Sequence, residues 1–493
     1  MIENLMTTLV GWLWSTPLVV LCLLVGIIYS IIFKFPQIFR IKEMFHYLVK
    51  GEKSDSGISS FQGFAMALGG RIGVGAIAGV ATAVCFGGPG AIFWMWVYAI
   101  FGAAAGMGEA VLAQTWKDRV AGEYRGGPAY YIDKGTGFKP LAILFAVFGV
   151  IAFGFTGPAI QAFNIAESTH RAFGVSPILT GVIIAAAFGL VVFGGMKRIG
   201  SFAGVVVPVM AAAYFIVMII VLVVNASQIP AMFALIFKCA FNAQAAYGAV
   251  FGSAIMWGIK RAVYSTEAGM GSGAHAAASA EVSHPVKQGM AQACSVYVDT
   301  LFACTATGLM ILVTGAYNVM APDGSFITEN LPGVDAGIQF AQAAVDTVLP
   351  GTSGSIFLAL AVLFFAFTTI LSFGFYVMPN IAYLLKNNKY LKQITIGVGG
   401  LQMISIILGS VRESAFAWNL ADIGVGLLAW VNLLGMLLLL KPAKKVMDDY
   451  ISQKKMGLDP VFDPDKCGIK NADLWKDIVK ESYADVNTDR EAE

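Results

Sequence analysis

Gly63, Gly69, Gly70, Gly73, Gly75, Gly79, Gly87, Gly88 and Gly90 crowd one apolar stretch of the chain, and Ser265-Thr-Glu-Ala-Gly-Met-Gly-Ser-Gly273 marks a second. Each glycine inside a helix costs about 1 kcal/mol relative to alanine, so a helix with this many either breaks or packs very closely. A broken helix exposes free amides and carbonyls, which can hold a carboxylate and a cation without a buried side-chain charge. On that basis Gly73 and Gly75 are candidates to contact a substrate. Gly75–Gly79 and Gly102–Gly106 also fit the small-xxx-small spacing that lets helices approach. The run Gly73-Val-Gly75-Ala-Ile-Ala-Gly79 is not GxGxxG and follows no strand, which argues against a dinucleotide site.

Several polar side chains stand in otherwise apolar surroundings. Gln161 and Asn164 carry neutral amides, able to bond the amine or carboxylate of a zwitterion at little desolvation cost. Their plainer use is an interhelical hydrogen bond, worth about 0.6 kcal/mol in a membrane. Thr368 and Thr369 are oxygen donors suited to a hard cation beside carbonyls of a broken helix; alternatively they bond back to the preceding turn. Ionisable groups within apolar spans are costly and default to functional roles. Arg71 lies about 12 Å and Glu109 about 9 Å from the inner ends of their stretches. An Arg71–Glu109 ion pair is therefore expected, as an inner gate or a structural clamp. Asp299 and Asp422 also fall in apolar stretches, whereas Glu267, His275 and His284 are expected in an inner loop.

These groups need elements to hold them. The chain is 57% hydrophobic and 13% charged, with a mean hydropathy of +0.73, whereas soluble domains are roughly 45–50% apolar and about 25% charged. A membrane helix needs about 20 mostly apolar residues, and that ruler places spans near 13–33, 63–86, 89–115, 141–166, 175–196, 201–224, 243–259, 287–315, 354–385, 394–411 and 415–440. Basic residues concentrate in alternate loops: 34–60, 117–139, Lys197–Arg198, Lys260–Arg261 with Lys287, and Lys386–Lys392. Cytoplasmic loops carry the excess Lys and Arg, so the N-terminus is expected outside and the C-terminus in the cytoplasm, in a plasma membrane. Residues 36–50 alternate apolar and basic groups at near-helical spacing and read as an interfacial helix on the inner leaflet. The charged stretch after Lys441 is expected to be solvated.

The net charge of +2 does not point to nucleic acid, because the basic residues sit in these loops. The six cysteines form no CxxC pair and the four histidines no HExxH. No nucleophile elbow appears, so an enzyme is not expected. The first dozen residues contain no Lys or Arg, which argues against a cleavable signal peptide. The expected organisation is an N-terminal helix with the interfacial helix (1–62), a ten-helix core (63–440) and a charged tail (441–493). Within the core, the two Gly-rich stretches fall at matching positions of two sets of five spans with opposite membrane orientation. Gly-interrupted spans in corresponding places of two halves point to the binding site of a transporter.

Longer runs carry a resemblance. Gly70-Arg-Ile-Gly-Val-Gly-Ala-Ile-Ala-Gly-Val-Ala-Thr-Ala83, Gly87-Gly-Pro-Gly-Ala-Ile-Phe-Trp-Met-Trp96, Gly126-Gly-Pro-Ala-Tyr-Tyr131, Ser265-Thr-Glu-Ala-Gly-Met-Gly-Ser272, His284-Pro-Val-Lys-Gln-Gly289, Asp299-Thr300, Phe367-Thr-Thr-Ile370 and Trp418-Asn-Leu-Ala-Asp422 follow in order along the chain. It resembles the alanine or glycine:cation symporters, also called sodium:alanine symporters. The resemblance implies an all-α polytopic fold of about eleven helices: a leucine-transporter-like 5+5 inverted repeat with one extra N-terminal helix. It also implies uptake of alanine, glycine or a close relative coupled to Na⁺. Gln161 matches a glutamine of that family, and Phe373, with Ile370, stands where the family often places an aromatic near the substrate. The chain departs from the pattern at Val74 and Ala76, where the family usually reads Gly-Thr-Gly-Asn, and at Met378, where a glutamate is common. A cation site using those side chains is lost, whereas one built from backbone carbonyls and the Thr368 and Thr369 hydroxyls survives. An uncoupled uniporter or a transporter-like sensor is the alternative those departures leave open.

Overall fold

The computed structural model describes residues 2–49, 56–241, 251–349, 351–386 and 388–483. The chain is predominantly helical. Among the described residues, eight helices are long and apolar enough to cross a membrane: α1 (Asn4–Ile32), α4 (Gly90–Thr115), α5 (Lys139–Phe173), α7 (Met196–Val224), α11 (Pro285–Thr314), α12 (Ser353–Leu384), α13 (Leu391–Ser410) and α14 (Ser414–Leu438). A ninth span is bent by 47° between α2 (Ser60–Arg71) and α3 (Gly75–Gly87). Shorter apolar helices are α6 (Pro177–Val192) and α8 (Ala226–Ala240). Ten of the expected spans fall on these elements; α1 begins nearer the N-terminus than anticipated.

The eleventh, 243–259, lies partly outside the described residues, and its described part corrects the expectation. Helix α9 runs Phe251–Thr266, and α10 follows at Gly273–Ser279. Lys260 and Arg261 are thus in a helix, not an inner loop. Both are buried against Asp422, at 2.6 and 3.1 Å, and lie over the Trp257 ring. Neutralisation and aromatic faces make such charges tolerable in a buried helix. Their neighbourhood includes Thr7 and Trp14, at the α1 end of the molecule opposite the C-terminal helices. They therefore do not belong in the count of basic inner-loop residues.

The packing is inside-out relative to a soluble protein. Val205, Val209 and Val223 of α7 are each 67% exposed, and Ile396, Ile404 and Leu408 of α13 about half exposed, a surface that lipid satisfies. The segment expected to be interfacial forms helices Pro36–Phe39 and Ile41–Val49, with Ile38, Phe39, Ile41 and Phe45 exposed and Met44 and Tyr47 buried. Among the described residues, strands occur only as two short hairpins, one of them β1 (Asp118–Val120) paired antiparallel with β2 (Glu123–Arg125).

The tail is not simply solvated. After α15 (Leu440–Lys455) the chain folds back, and α16 (Leu474–Ser482) buries Trp475 completely. The Trp475 indole donates to Gln114 O at 2.9 Å, the Trp116 indole to Lys470 O at 2.9 Å, and Phe462 N to Ser283 O at 2.9 Å. Lys117 lies over the rings of both Tyr124 and Trp475. Burial pulls its ammonium down to about 8, with Glu281 opposing the shift. Nearby, burial pushes the Asp118 carboxyl up, but Lys134 at 2.5 Å and Lys386 at 2.7 Å outweigh it and hold it below its ordinary range.

Candidate functional site

Helix α2 opens on a capping box between Ser59 and Gln62 and stops at Arg71, where Ile72 leaves helical geometry at ψ 68°. The chain re-enters as a π-turn over Gly75–Gly79. The glycines at the break are dictated by neighbours. A Cβ on Gly73 would overlap Thr369 Oγ1, and one on Gly70 would come within 2.7 Å of the Tyr376 hydroxyl.

Four oxygens converge beside the end of α2. Thr369 Oγ1 lies 2.8 Å from Gly69 O and 3.0 Å from Phe365 O; Thr368 Oγ1 lies 3.4 and 2.8 Å from the same carbonyls. Each hydroxyl has one proton and two acceptor lone pairs, so neither can donate to both carbonyls at once. Ser372 Oγ donates to Met66 O at 2.8 Å, extending the seam between α2 and α12. The plainer use foreseen for the two threonines, bonding to the preceding turn, is realised at Phe365 O, and both hydroxyls also reach Gly69 O of the broken helix. The carbonyls of Gly69 and Phe365 completed the group and carried no sequence signal.

A central cavity of about 20 Å³ lies next to the break, room for about one water. Gly70, Arg71, Gly73, Gly75, Gln161, Tyr264, Glu267 and Phe373 line it, with Phe153 and Thr156 of α5 and Ala421 and Val425 of α14. Gln161 Oε1 accepts from Val74 N at 3.2 Å, the amide just beyond the break. Of the expected substrate contacts, Gly73, Gly75, Gln161 and Phe373 are in the lining. Asn164 and Ile370 are not. The Asn164 amide donates to Ile160 O in its own helix at 2.8 Å, and Ile370 is wholly buried in the core. On one side the Tyr264–Trp418 ring contact, 5.5 Å between centroids, and the Arg261–Asp422 pair close the site. Beyond them lies a wider cavity of about 530 Å³.

The expected ion pair is absent. Arg71 and Glu109 instead grip the unwound segment between α9 and α10 from different sides. Arg71 Nε donates to Thr266 O at 2.6 Å, and its Nη1 reaches Gln292 Oε1 at 3.0 Å and the Ser295 hydroxyl. Glu109 Oε1 accepts from Gly269 N (2.8 Å), Gly271 N (3.0 Å) and Asn432 Nδ2 (2.7 Å). Gly269 and Gly271 sit at φ +92° and +80°, a region that suits glycine, and Glu267 of the same segment also takes a positive φ, +55°. The two side chains therefore meet through the backbone of this segment and not as the expected pair. Glu267 and His275 also depart from the inner loop: both are buried, Glu267 in the cavity wall and His275 bonded to Ser272 O and Asn380 Nδ2, each at 3.0 Å. Asn432 had no sequence signal beyond its polarity in α14. Among the described residues no group of three or more His, Cys, Asp or Glu could hold a metal ion.

Residues 1–464 match the sodium:alanine symporter family. The putative sodium/proton-dependent alanine carrier protein YrbD of Bacillus subtilis is 50% identical over 471 residues, covering 95% of this chain and 97% of its own. The sodium/proton-dependent alanine carrier protein of Bacillus sp. (strain PS3) is 43% identical, over 89% of this chain and 98% of its own. The probable sodium/glutamine symporter GlnT of Bacillus subtilis is 39% identical, over 95% and 92%.

Proposed function

The chain belongs to the sodium:alanine symporter family, and on that premise we propose that it imports alanine or a similarly small neutral amino acid together with Na⁺ by alternating access. The observation that carries this reading is the meeting of two interrupted helices, α2/α3 and α9/α10, at one small cavity flanked by the four-oxygen group. It is supported by relatives named as alanine carriers and, in one case, a glutamine symporter. Eleven spans are proposed in a 5+5 inverted repeat behind an extra N-terminal helix, with the N-terminus outside and the tail cytoplasmic.

In this reading the chemistry divides between backbone and side chains. The N-terminal end of α3 presents free amides and a positive dipole end, which suits the substrate carboxylate; Gln161 Oε1 occupies the Val74 amide until substrate displaces it. Glu267 faces the same cavity and suits the amine. Phe373, Gly70, Gly73 and Gly75 line a space that holds about one water here, so the site widens to admit substrate and suits a small side chain. Sodium is a cargo ion here, held by Gly69 O, Phe365 O, Thr368 Oγ1 and Thr369 Oγ1. Hard cations take such oxygen ligands, and binding there ties α2 to α12. Because the ion fixes the helix whose broken end receives the carboxylate, each ligand favours the other.

The test is thermal unfolding of purified protein. Alanine is expected to raise the midpoint in NaCl and to have little effect in KCl or choline chloride. A shift by alanine of equal size in all three salts would contradict coupling through the ion.

A further inference from the structure

A cavity of about 590 Å³ lies between the end of α6, the second half of α12, the start of α13 and the β1–β2 hairpin. None of its lining residues borders the central cavity, so it is no part of the site described above. Val192, Phe193, Val377, Met378, Leu391 and Ile396 give it an apolar wall. Phe193 and Ile396 are each about half exposed, and Leu190 beside them on α6 is 71% exposed, so the wall continues onto the outward surface of α6 and α13. The lining follows α13 from Leu391 to Gln402, about 16 Å along the helix. The cavity is therefore a slot running along a membrane helix.

The charges of the slot gather at one end and do not balance. Arg125 of β2 and Lys389 and Lys392 at the start of α13 face Glu123 alone. The Lys386–Asp118 pair, at 2.7 Å, joins the α12–α13 connection to the hairpin and brings these groups together. Arg125 lies over the Phe375 ring of α12 and donates through Nη2 to Glu123, but its buried Nη1 has no acceptor. A buried donor without a partner is costly. Burial draws the guanidinium below its ordinary value, with Glu123 opposing the shift. Among the described residues neither Lys389 nor Lys392 has an ion pair; Lys389 lies over the ring of its neighbour Tyr390. Arg119 of the same hairpin pairs with Glu481 of α16 at 2.6 Å, which puts the basic end on the tail side of the molecule, the side proposed to be cytoplasmic.

We propose that this slot binds an anionic phospholipid, its phosphate held by Arg125, Lys389 and Lys392 and its acyl chains running along Phe193, Val377 and Ile396 onto the outward face of α13. Basic pockets between membrane helices on the cytoplasmic side take such headgroups. A soluble anion would use the basic end and leave the apolar wall uncovered; a lipid without net charge would leave the positive charge uncompensated. The bound lipid ties the hairpin to the start of α13 and packs against Val377 of α12, the helix that carries Phe373. The inference needs only that the chain lies in a bilayer, not that it transports alanine.

The experiment is native mass spectrometry of the purified full chain in detergent, titrated with phosphatidylglycerol, with phosphatidylcholine of the same chains, and with inorganic phosphate. The wild type is expected to retain one phosphatidylglycerol about tenfold or more tighter than phosphatidylcholine, and phosphate at the same concentration should not displace it. Lys389 and Lys392 are exposed, so the double variant Lys389→Gln/Lys392→Gln keeps the fold; it should bind phosphatidylglycerol roughly 30-fold more weakly, about fivefold per lysine. The same charge change at the exposed tail residues Lys470 and Lys480, as Lys470→Gln/Lys480→Gln, should leave binding unchanged. Equal retention of the two lipids, or unchanged binding in the Lys389/Lys392 variant, would overturn the proposal. So would equal weakening in the tail variant, which would mean diffuse surface attraction, or displacement of the lipid by phosphate, which would make this a soluble-anion site.

Discussion

Gln161 Oε1 caps the amide of Val74 at 3.2 Å across the cavity, although the two residues are 87 positions apart. The side chain thereby satisfies the amide that the proposed function assigns to a substrate carboxylate. Gln161→Leu removes that cap and any amide contact with the zwitterion. A charge-assisted hydrogen bond contributes about 1.5–3 kcal/mol, so KM for alanine should rise roughly 10- to 100-fold with kcat less affected. Initial rates of radiolabelled uptake across an alanine series measure this; an unchanged KM would remove Gln161 from the site.

Thr369 Oγ1 is within 3.0 Å of two carbonyls, Gly69 O and Phe365 O. Thr369→Ala should raise the sodium concentration for half-maximal uptake about tenfold or more, with alanine transport recovering at high sodium. Thr369→Ser, which keeps the hydroxyl, should stay close to wild type. Sodium titrations of uptake distinguish these outcomes from general damage, which neither high sodium nor serine would rescue.

Gly73 has no room for a side chain, because the Cβ would meet Thr369 Oγ1. Gly73→Ala should abolish measurable uptake while surface expression stays near normal. Uptake normalised to expression tests this, and normal transport would show that the break is looser than the packing implies.

Trp475 is completely buried, and its indole donates to Gln114 O. Truncating a buried tryptophan to alanine costs about 3–5 kcal/mol. Trp475→Ala should therefore release the tail and expose residues 457–483 to protease, with the transmembrane core left intact. Limited proteolysis followed by mass spectrometry reads the cleavage positions.

The first break was legible because glycine is costly inside a helix and the sequence places nine of them between Gly63 and Gly90. The second was seen but misplaced. Lys260, Arg261, Glu267 and His275 look like loop residues along the chain, yet Asp422, Tyr376 and Asn380, more than 100 positions away, bury them. Depth along helices brought Arg71 and Glu109 to the same region correctly. It could not show that the backbone of residues 266–271 would come between them. Asn164 was separable from Gln161 only by the direction of its side chain, since both are buried on α5. The tail was misread because its charge masks Phe462 and Trp475, the two side chains that anchor it.

The most direct measurement is uptake of radiolabelled alanine into proteoliposomes under an inward sodium gradient, compared with potassium alone and with a proton gradient. Coupled symport predicts accumulation above equilibrium only with sodium, collapsing when the gradient is dissipated. Equilibration at the same rate without sodium would contradict it and identify an uncoupled carrier.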